Sequence, residues 1–412
     1  MSCGDFLVSG PFGLDAAKGE TCGYQRTVLV AVHHVTAGTR LADVVPLLES
    51  DRRVQVIFTL APGSVFSGGV REYLAGLGGV VVPWCQARQA RFDLAVAAAH
   101  GGLEQLHAPV LTMPHGVGFG KYTSRWDGPG PAAARDGAGE VRARLVYHGR
   151  VVPSAIVVSS EAHLAHLRRS CPEAAAAAVV AGDPCYDRLA VSLPSRAAYR
   201  AALGTGDRVL VAASSTWGPG SLLGDHPGLL PRLAAELPAR EYQVAAVLHP
   251  NIYAWHGRRQ ILSWYAGCLQ RDVVIVPPQE GWRAVLAAAD VLLGDGGSVT
   301  TYAAAGGVPV LLASSPRTKI EPGSPPAVVS RIAPRLRWQE PLVPQLGGAV
   351  TAWEVGDHAA VAAKVTDVPG QSARLIRQMM YRLMGLPEPG SIAQATPVPT
   401  ARPGSYGPVQ WP

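Results

Sequence analysis

Four histidines stand where apolar runs end. His33 and His34 close TVLVAVHH, His115 follows APVLTMP, and His249 follows YQVAAVL. An imidazole titrates near neutrality, so each could take a proton from a hydroxyl or donate a hydrogen bond to a phosphate or ribose. For His249 the plain alternative is a capped polar residue at a strand end. A fifth run, DVLLGDGGSVTT, ends in Asp295, Gly296 and Gly297 and continues through Ser298, Thr300 and Thr301. Glycines allow close backbone approach, and a helix start offers amides and hydroxyls to an anion, so this turn is suited to a phosphate or diphosphate. A helix cap made by Ser298 or Asp295 accounts for the same residues, and both readings stand. DRVLVAASST places Ser214, Ser215 and Thr216 at another run's end, where they either line that pocket or form a solvated loop. Pro250 follows His249, Gly116 follows His115, and VVAGDPCYDRL carries Gly182 and Asp187.

Side chains at run ends need a scaffold. Short β-rich runs at 27–34, 54–60, 80–84 and 155–160 alternate with stretches of helical spacing at 40–49, 68–78 and 161–171. A second series follows, with runs at 207–216, 242–250, 273–278, 290–295 and 308–313 separated by helical stretches at 229–237, 258–269 and 282–289. Alternation of this kind predicts parallel sheets with crossover helices, and continuous apolar runs are what strands covered on both faces require. In such α/β folds ligands sit beyond the carboxyl ends of the strands, which is where the residues above fall. The expected organisation is an irregular leader over 1–25, a Rossmann-like domain over 26–200 and a second over 201–385. A Pro-rich tail over 386–412 is expected to be disordered or draped on the surface. Residues 366–385 read as helical and the Gly/Ala/Arg-rich 124–145 as a flexible loop.

The totals exclude some classes. The chain has 412 residues, 48% of them hydrophobic, enough for two or three cores. No uninterrupted apolar stretch of about 18 residues suggests a membrane span, and the first twenty residues do not read as a signal peptide. Six scattered cysteines with no Cys-x-x-Cys pair suggest neither a zinc site nor a disulfide framework, but reduced thiols in a cytoplasmic protein. The formal charge of +6 is spread out, not gathered into a basic stripe, so a nucleic-acid partner is not expected. An anionic small molecule fits, and peripheral contact with an anionic membrane surface is permitted, as is a homodimer. No phosphate-binding Gly-x-x-x-x-Gly-Lys-Ser/Thr loop is present, which argues against a GTPase.

Taken in order, His115-Gly116, then Gly182-Asp183-Pro184-Cys185-Tyr186-Asp187-Arg188-Leu189, His249-Pro250 and Asp295-Gly296-Gly297-Ser298 resemble the CDP-glycerol glycerophosphotransferase family over about residues 108–313. The resemblance implies GT-B architecture, two doubly wound parallel-sheet domains facing a central cleft. It implies a transferase that moves a glycosyl or glycerophosphoryl group from a nucleotide-linked donor to a hydroxyl acceptor. His115 would then be the base, with His33 and His34 as competitors for that role. His249, Ser298 and Thr300 would bind the donor's diphosphate, and Gly116, Gly182 and Asp187 would lie near the cleft. No Asp-x-Asp motif is present, so no metal and no resident cofactor are expected; the donor is a substrate. Asp-Gly-Gly-Ser stands where family members usually show Asp-Tyr-Ser-Ser, and Cys185 where they tend to carry Arg or Lys. These departures leave a UDP-, TDP- or GDP-sugar open beside CDP-glycerol. More loosely, Asp295-Gly296-Gly297 and VLHPN resemble UDP-N-acetylglucosamine 2-epimerases, which makes an isomerase a further alternative. A non-catalytic nucleotide-binding protein is the reading from a different class.

Overall fold

The computed structural model describes residues 7–13, 16–119, 137–314 and 320–400. They form two compact units. The first takes the described residues through Gly118, those from 137 to Cys185, and Asp367–Ala395; the second takes Tyr186–Thr366 and 396–400, with Phe119.

In the first unit the strands are β1 (Arg26–Val32), β2 (Val54–Leu60), β3 (Val80–Val82), β4 (Leu94–Ala97) and β5 (Val110–Thr112). A small hairpin of β6 (Val146–Tyr147) and β7 (Arg150–Val151) follows, then β8 (Ala155–Val158) and β9 (Ala178–Val180). Apart from the hairpin they form one sheet in the order β3-β2-β1-β4-β5-β8-β9, every pair parallel. The strand order reverses between β1 and β4, so the loops leaving these two strands diverge and open a crevice at their carboxyl ends. Side chains alternate along β1. Val28, Val30 and Val32 face one buried cluster, and Leu29 and Ala31 face another that includes Phe12 and Phe92.

The second unit repeats the logic with β10 (Val209–Ser215), β11 (Tyr242–Leu248), β12 (Val273–Ile275), β13 (Val291–Gly294) and β14 (Val310–Leu312). Their order is β12-β11-β10-β13-β14, again all parallel, with the reversal between β10 and β13. Ser214 is in register with Gly294, so Thr216 and Asp295 leave the sheet side by side at that point.

Five expectations change. The first domain was drawn to 200, but the second unit begins at Tyr186. The second domain was drawn to 385, but the helix Ser372–Met384 packs in the first unit, burying Ile376, Met379, Met380, Tyr381 and Met384 against the β1 face. The spacing of these apolar residues makes a continuous stripe, and a stripe is buried wherever a complementary face exists. The stretch read as a flexible loop is a helix over Gly137–Leu145, its last residue buried under β8; residues 124–136 lie outside the described residues. The helical stretch 258–269 breaks at Tyr265 into Arg258–Trp264 and Ala266–Leu269. Cys85, after β3, is disulfide-bonded, whereas Cys22, Cys171, Cys185 and Cys268 are free thiols.

The leader is irregular in its described part apart from a short turn at Ala16–Lys18, with Phe12 buried and Val8 bonded through both its amide and carbonyl to Gln86. The described part of the tail is extended and pinned. Tyr199 donates to the Val398 carbonyl at 2.7 Å, and the Val398 amide to Ser192 Oγ at 2.9 Å. Residues 401–412 lie outside the described residues. Among the described residues no helix is long and apolar enough to cross a membrane.

Candidate functional site

At the reversal point of the first unit, β1 delivers His33 and His34, β4 delivers His100 and β5 delivers His115. The four imidazoles are held differently. His115 Nδ1 lies 3.0 Å from the Ala98 carbonyl oxygen. A carbonyl only accepts, so Nδ1 carries the proton and, in the neutral ring, Nε2 is left with its lone pair. The His115 side chain is exposed to solvent. Desolvation by the surrounding protein lowers its pKa below the usual histidine value, Arg40 and Arg144 add to the shift, and the Ala98 hydrogen bond opposes it. His115 is therefore neutral at pH 7.

His34 is set the other way. Its Nδ1 accepts from the Ala37 amide at 3.1 Å and so caps the helix Val35–Leu41, which puts the neutral ring's proton on Nε2. The His34 and His115 rings meet edge to face, centroids 4.7 Å apart. His33 is 1% exposed and its Nε2 sits 2.7 Å from the Gly101 carbonyl oxygen. It is enclosed in the fold, not presented to an acceptor. Burial lowers its pKa, and burial, followed by the charge of Arg144, pushes His100 down to about 3.

The loop carrying His115 is tied down by a pair that motif reasoning did not single out. Arg40 and Asp183 are each almost fully buried, with Nη1 and Oδ1 2.7 Å apart. Arg40 Nη2 also donates to the Gly116 carbonyl at 3.4 Å, and Asp183 Oδ1 accepts from the Cys185 amide at 2.9 Å. One guanidinium thus joins the turn after His115 to the turn after β9, where Gly182 adopts a left-handed φ of 82°. A lone arginine in the apolar stretch RLADVVPLL was the signal available in the sequence. Its partner lies 143 residues away.

In the second unit Asp295, 1% exposed, is the centre of the turn. Its Oδ2 accepts from the Thr216 amide and hydroxyl, each at 2.7 Å, and from the Leu222 amide at 3.0 Å. Its Oδ1 accepts from the Gly297 amide at 3.0 Å. The carboxylate is spent on joining the loop after β10 to the turn after β13. The helix Ser298–Ala305 starts after Gly297, and no side chain caps it. Ser298 is its first residue, so neither Ser298 nor Asp295 is the cap that the alternative reading required. Gly297 must be glycine: a Cβ there would lie 2.5 Å from Thr216 Cγ2 and 3.0 Å from Asp295 Oδ1. Gly296, Ser298 and Val299 remain partly accessible.

The other hydroxyls divide. Ser214 and Ser215 are both buried; Ser215 Oγ donates to the Thr216 carbonyl at 2.8 Å and accepts from the Leu223 amide at 3.1 Å. Thr301 donates to the Gly297 carbonyl at 3.2 Å, and Thr300, 1% exposed, packs over Gly294 with its hydroxyl unpartnered. All four are buried. His249 Nδ1 accepts from the Asn251 amide at 3.1 Å, capping the helix Pro250–His256, with Pro250 at its first position. Asp187 is buried in the helix Pro184–Ser192. Among the described residues no group of three or more His, Cys, Asp or Glu could hold a metal ion.

Two doubly wound parallel units, each with candidate residues at its reversal point, are those of a GT-B fold. Comparison with solved structures gives the same class. A variant of the wall teichoic acid polymerase TagF superposes with a TM-score of 0.59 at 12% identity, over 90% of this chain and 92% of that one. A TagF variant soaked with CDPG gives 0.59 at 12% over 90% and 91%. Anabaena HepE in complex with UDP-glucose aligns more loosely, at 0.47 and 14% identity over 87% and 99%. No family model matches the sequence, and no curated protein matches it.

Proposed function

We propose that this chain is a transferase that moves a glycosyl or glycerophosphoryl group from a nucleotide-linked donor to a hydroxyl acceptor. The observation that carries the reading is the tautomer of His115. Its Nδ1–H is committed to Ala98, which leaves a lone pair on Nε2 of an accessible, neutral ring. Such an imidazole can take the acceptor's hydroxyl proton as the oxygen attacks the anomeric carbon or the phosphorus. The bond to the nucleotide then breaks, and the electron pair leaves on its phosphate oxygen. Within the second unit the start of the helix Ser298–Ala305, which no side chain caps, offers amides suited to a diphosphate. His249 is assigned to the same diphosphate. That TagF was soaked with CDPG supports a nucleotide-activated donor here as well.

The test is a thermal-shift screen against CDP, UDP, GDP, TDP and their glycerol or sugar conjugates, followed by turnover with the best ligand. Saturation at about a hundred times the dissociation constant adds about 2.7 kcal/mol of stability. A ligand that stabilises the protein and is broken down by it, but not by His115→Ala, supports the reading. No stabilisation by any nucleotide overturns it.

A further inference from the structure

The chain passes from the first unit to the second inside the helix Pro184–Ser192, between Cys185 and Tyr186, and again in the tail, between Ala395 and Thr396. The two passages are bonded to each other. Arg188, three residues past the first passage, donates from Nε to the Thr396 carbonyl at 3.0 Å and from Nη2 to the Pro397 carbonyl at 3.2 Å. Val398 follows, 3% exposed, its amide donating to Ser192 and its carbonyl accepting from Tyr199. Side chains of two helices thus hold three consecutive tail residues through their backbone. Chain ends ordinarily fray. Here Pro397 and Pro399 also fix the backbone on either side of Val398 before it docks.

The segment just before is held in the first unit. Arg53 donates to the Pro387 carbonyl at 2.9 Å. Arg377 pairs with Glu388 at 2.6 Å and also donates to the Ser391 carbonyl, and Ala393 is buried. From Ser391 to Thr396 the chain advances five residues, at most about 17 Å. Residues 392–400 contain neither helix nor turn in which slack could be stored. We propose that residues 387–398 are a strap that limits how far the second unit can turn about the helix Pro184–Ser192. That helix starts fixed in the first unit, where Asp183 holds both Arg40 and the Cys185 amide. One passage between two bodies acts as a swivel, and a second passage bonded beside it removes the swivel. A tail that only filled a groove on the second unit would need no anchorage before Ala395. The inference is independent of the proposed transferase, because it concerns the freedom of the chain and not its chemistry.

The experiment is single-molecule energy transfer between dyes coupled to azido side chains introduced at Arg71 in the first unit and Arg240 in the second, both exposed. Three forms are compared: the full chain, a chain ending at Ala395, and the full chain with about twelve Gly/Ser residues inserted between Ala395 and Thr396. Such an insert adds about 19 Å of root-mean-square reach and keeps the tail at high effective concentration over its groove. The insert form is expected to keep the thermal midpoint of the full chain and to show a broadened distribution of transfer efficiencies. The truncated chain is expected to show a broadened distribution as well. Because the insert form retains every side chain, it decides the matter alone if the truncated chain fails to fold. A distribution in the insert form as narrow as that of the full chain overturns the inference, whatever truncation does, and reduces the tail to a groove filler.

Discussion

Arg40 and Asp183 form an enclosed ion pair, 2.7 Å from nitrogen to oxygen, whose second nitrogen reaches the carbonyl of Gly116. The residue after the candidate base is thus fixed by a charge whose own partner belongs to a different turn. Removing one member leaves the other charge buried without compensation. Arg40→Met should cost about 3–5 kcal/mol in urea denaturation, more than the loss of a surface arginine. Replacing both partners, Arg40→Met with Asp183→Asn, should cost less than the single change.

His115→Ala should lower turnover by roughly 10²–10⁴-fold and leave nucleotide affinity within error, measured by steady-state kinetics beside calorimetry. Equal loss of both would assign the residue to structure. Its lowered pKa also sets a pH expectation: between pH 6 and 8 the base is already unprotonated, so kcat/KM should show no acid limb from this group there.

Desolvated imidazoles should make the fold less stable in acid. Burial pushes His100 and His163 each down to about 3 and lowers His33, so over this range the native state binds fewer protons than the unfolded chain. The stability they contribute is complete above the unfolded value of about 6.5 and declines as pH falls towards 3. Thermal midpoints between pH 7 and 4 should fall, and His100→Asn with His163→Asn should flatten that slope. Asp51, held below the carboxylate range by its hydrogen bonds to Arg53, acts only at lower pH.

Asp295→Ala should leave four donors unsatisfied and destabilise the protein by about 1–3 kcal/mol. Hydrogen exchange should quicken at Thr216, Leu222 and Gly297, the amides it now accepts. Gly297→Ala should disturb the same loop by collision with Thr216, and loss of nucleotide binding in both variants with normal exchange in β11 would localise the effect to this turn.

Strands such as β1, β10 and β13 were legible because they are buried on both faces and so read as unbroken apolar runs, whereas the more accessible β9 and the hairpin β6–β7 were not read. The strand-end histidines were legible for the same reason: polarity interrupts such a run only where the sheet stops. What each ring does was not. His34 and His115 are equivalent on paper, and only their Nδ1 partners, an amide in one case and a carbonyl in the other, separate a cap from a lone pair. Ser214, Ser215, Thr300 and Thr301 looked like ligand hydroxyls because composition cannot tell an accessible hydroxyl from a buried one. Arg40 and Asp183 could not be paired from spacing, since their meeting is a property of the sheet order.

The helix Ser372–Met384 supplies one wall of a core whose other walls were made from residues 28 to 181. During synthesis the first unit to emerge is therefore not the first that can close. Its β1 face lacks that wall until residues 372–384 have left the ribosome, whereas the sheet of the later unit is built from residues 209–312. Order of birth and order of completion are reversed, and a chain cut short before residue 372 would leave the older sheet with an unhealed apolar flank.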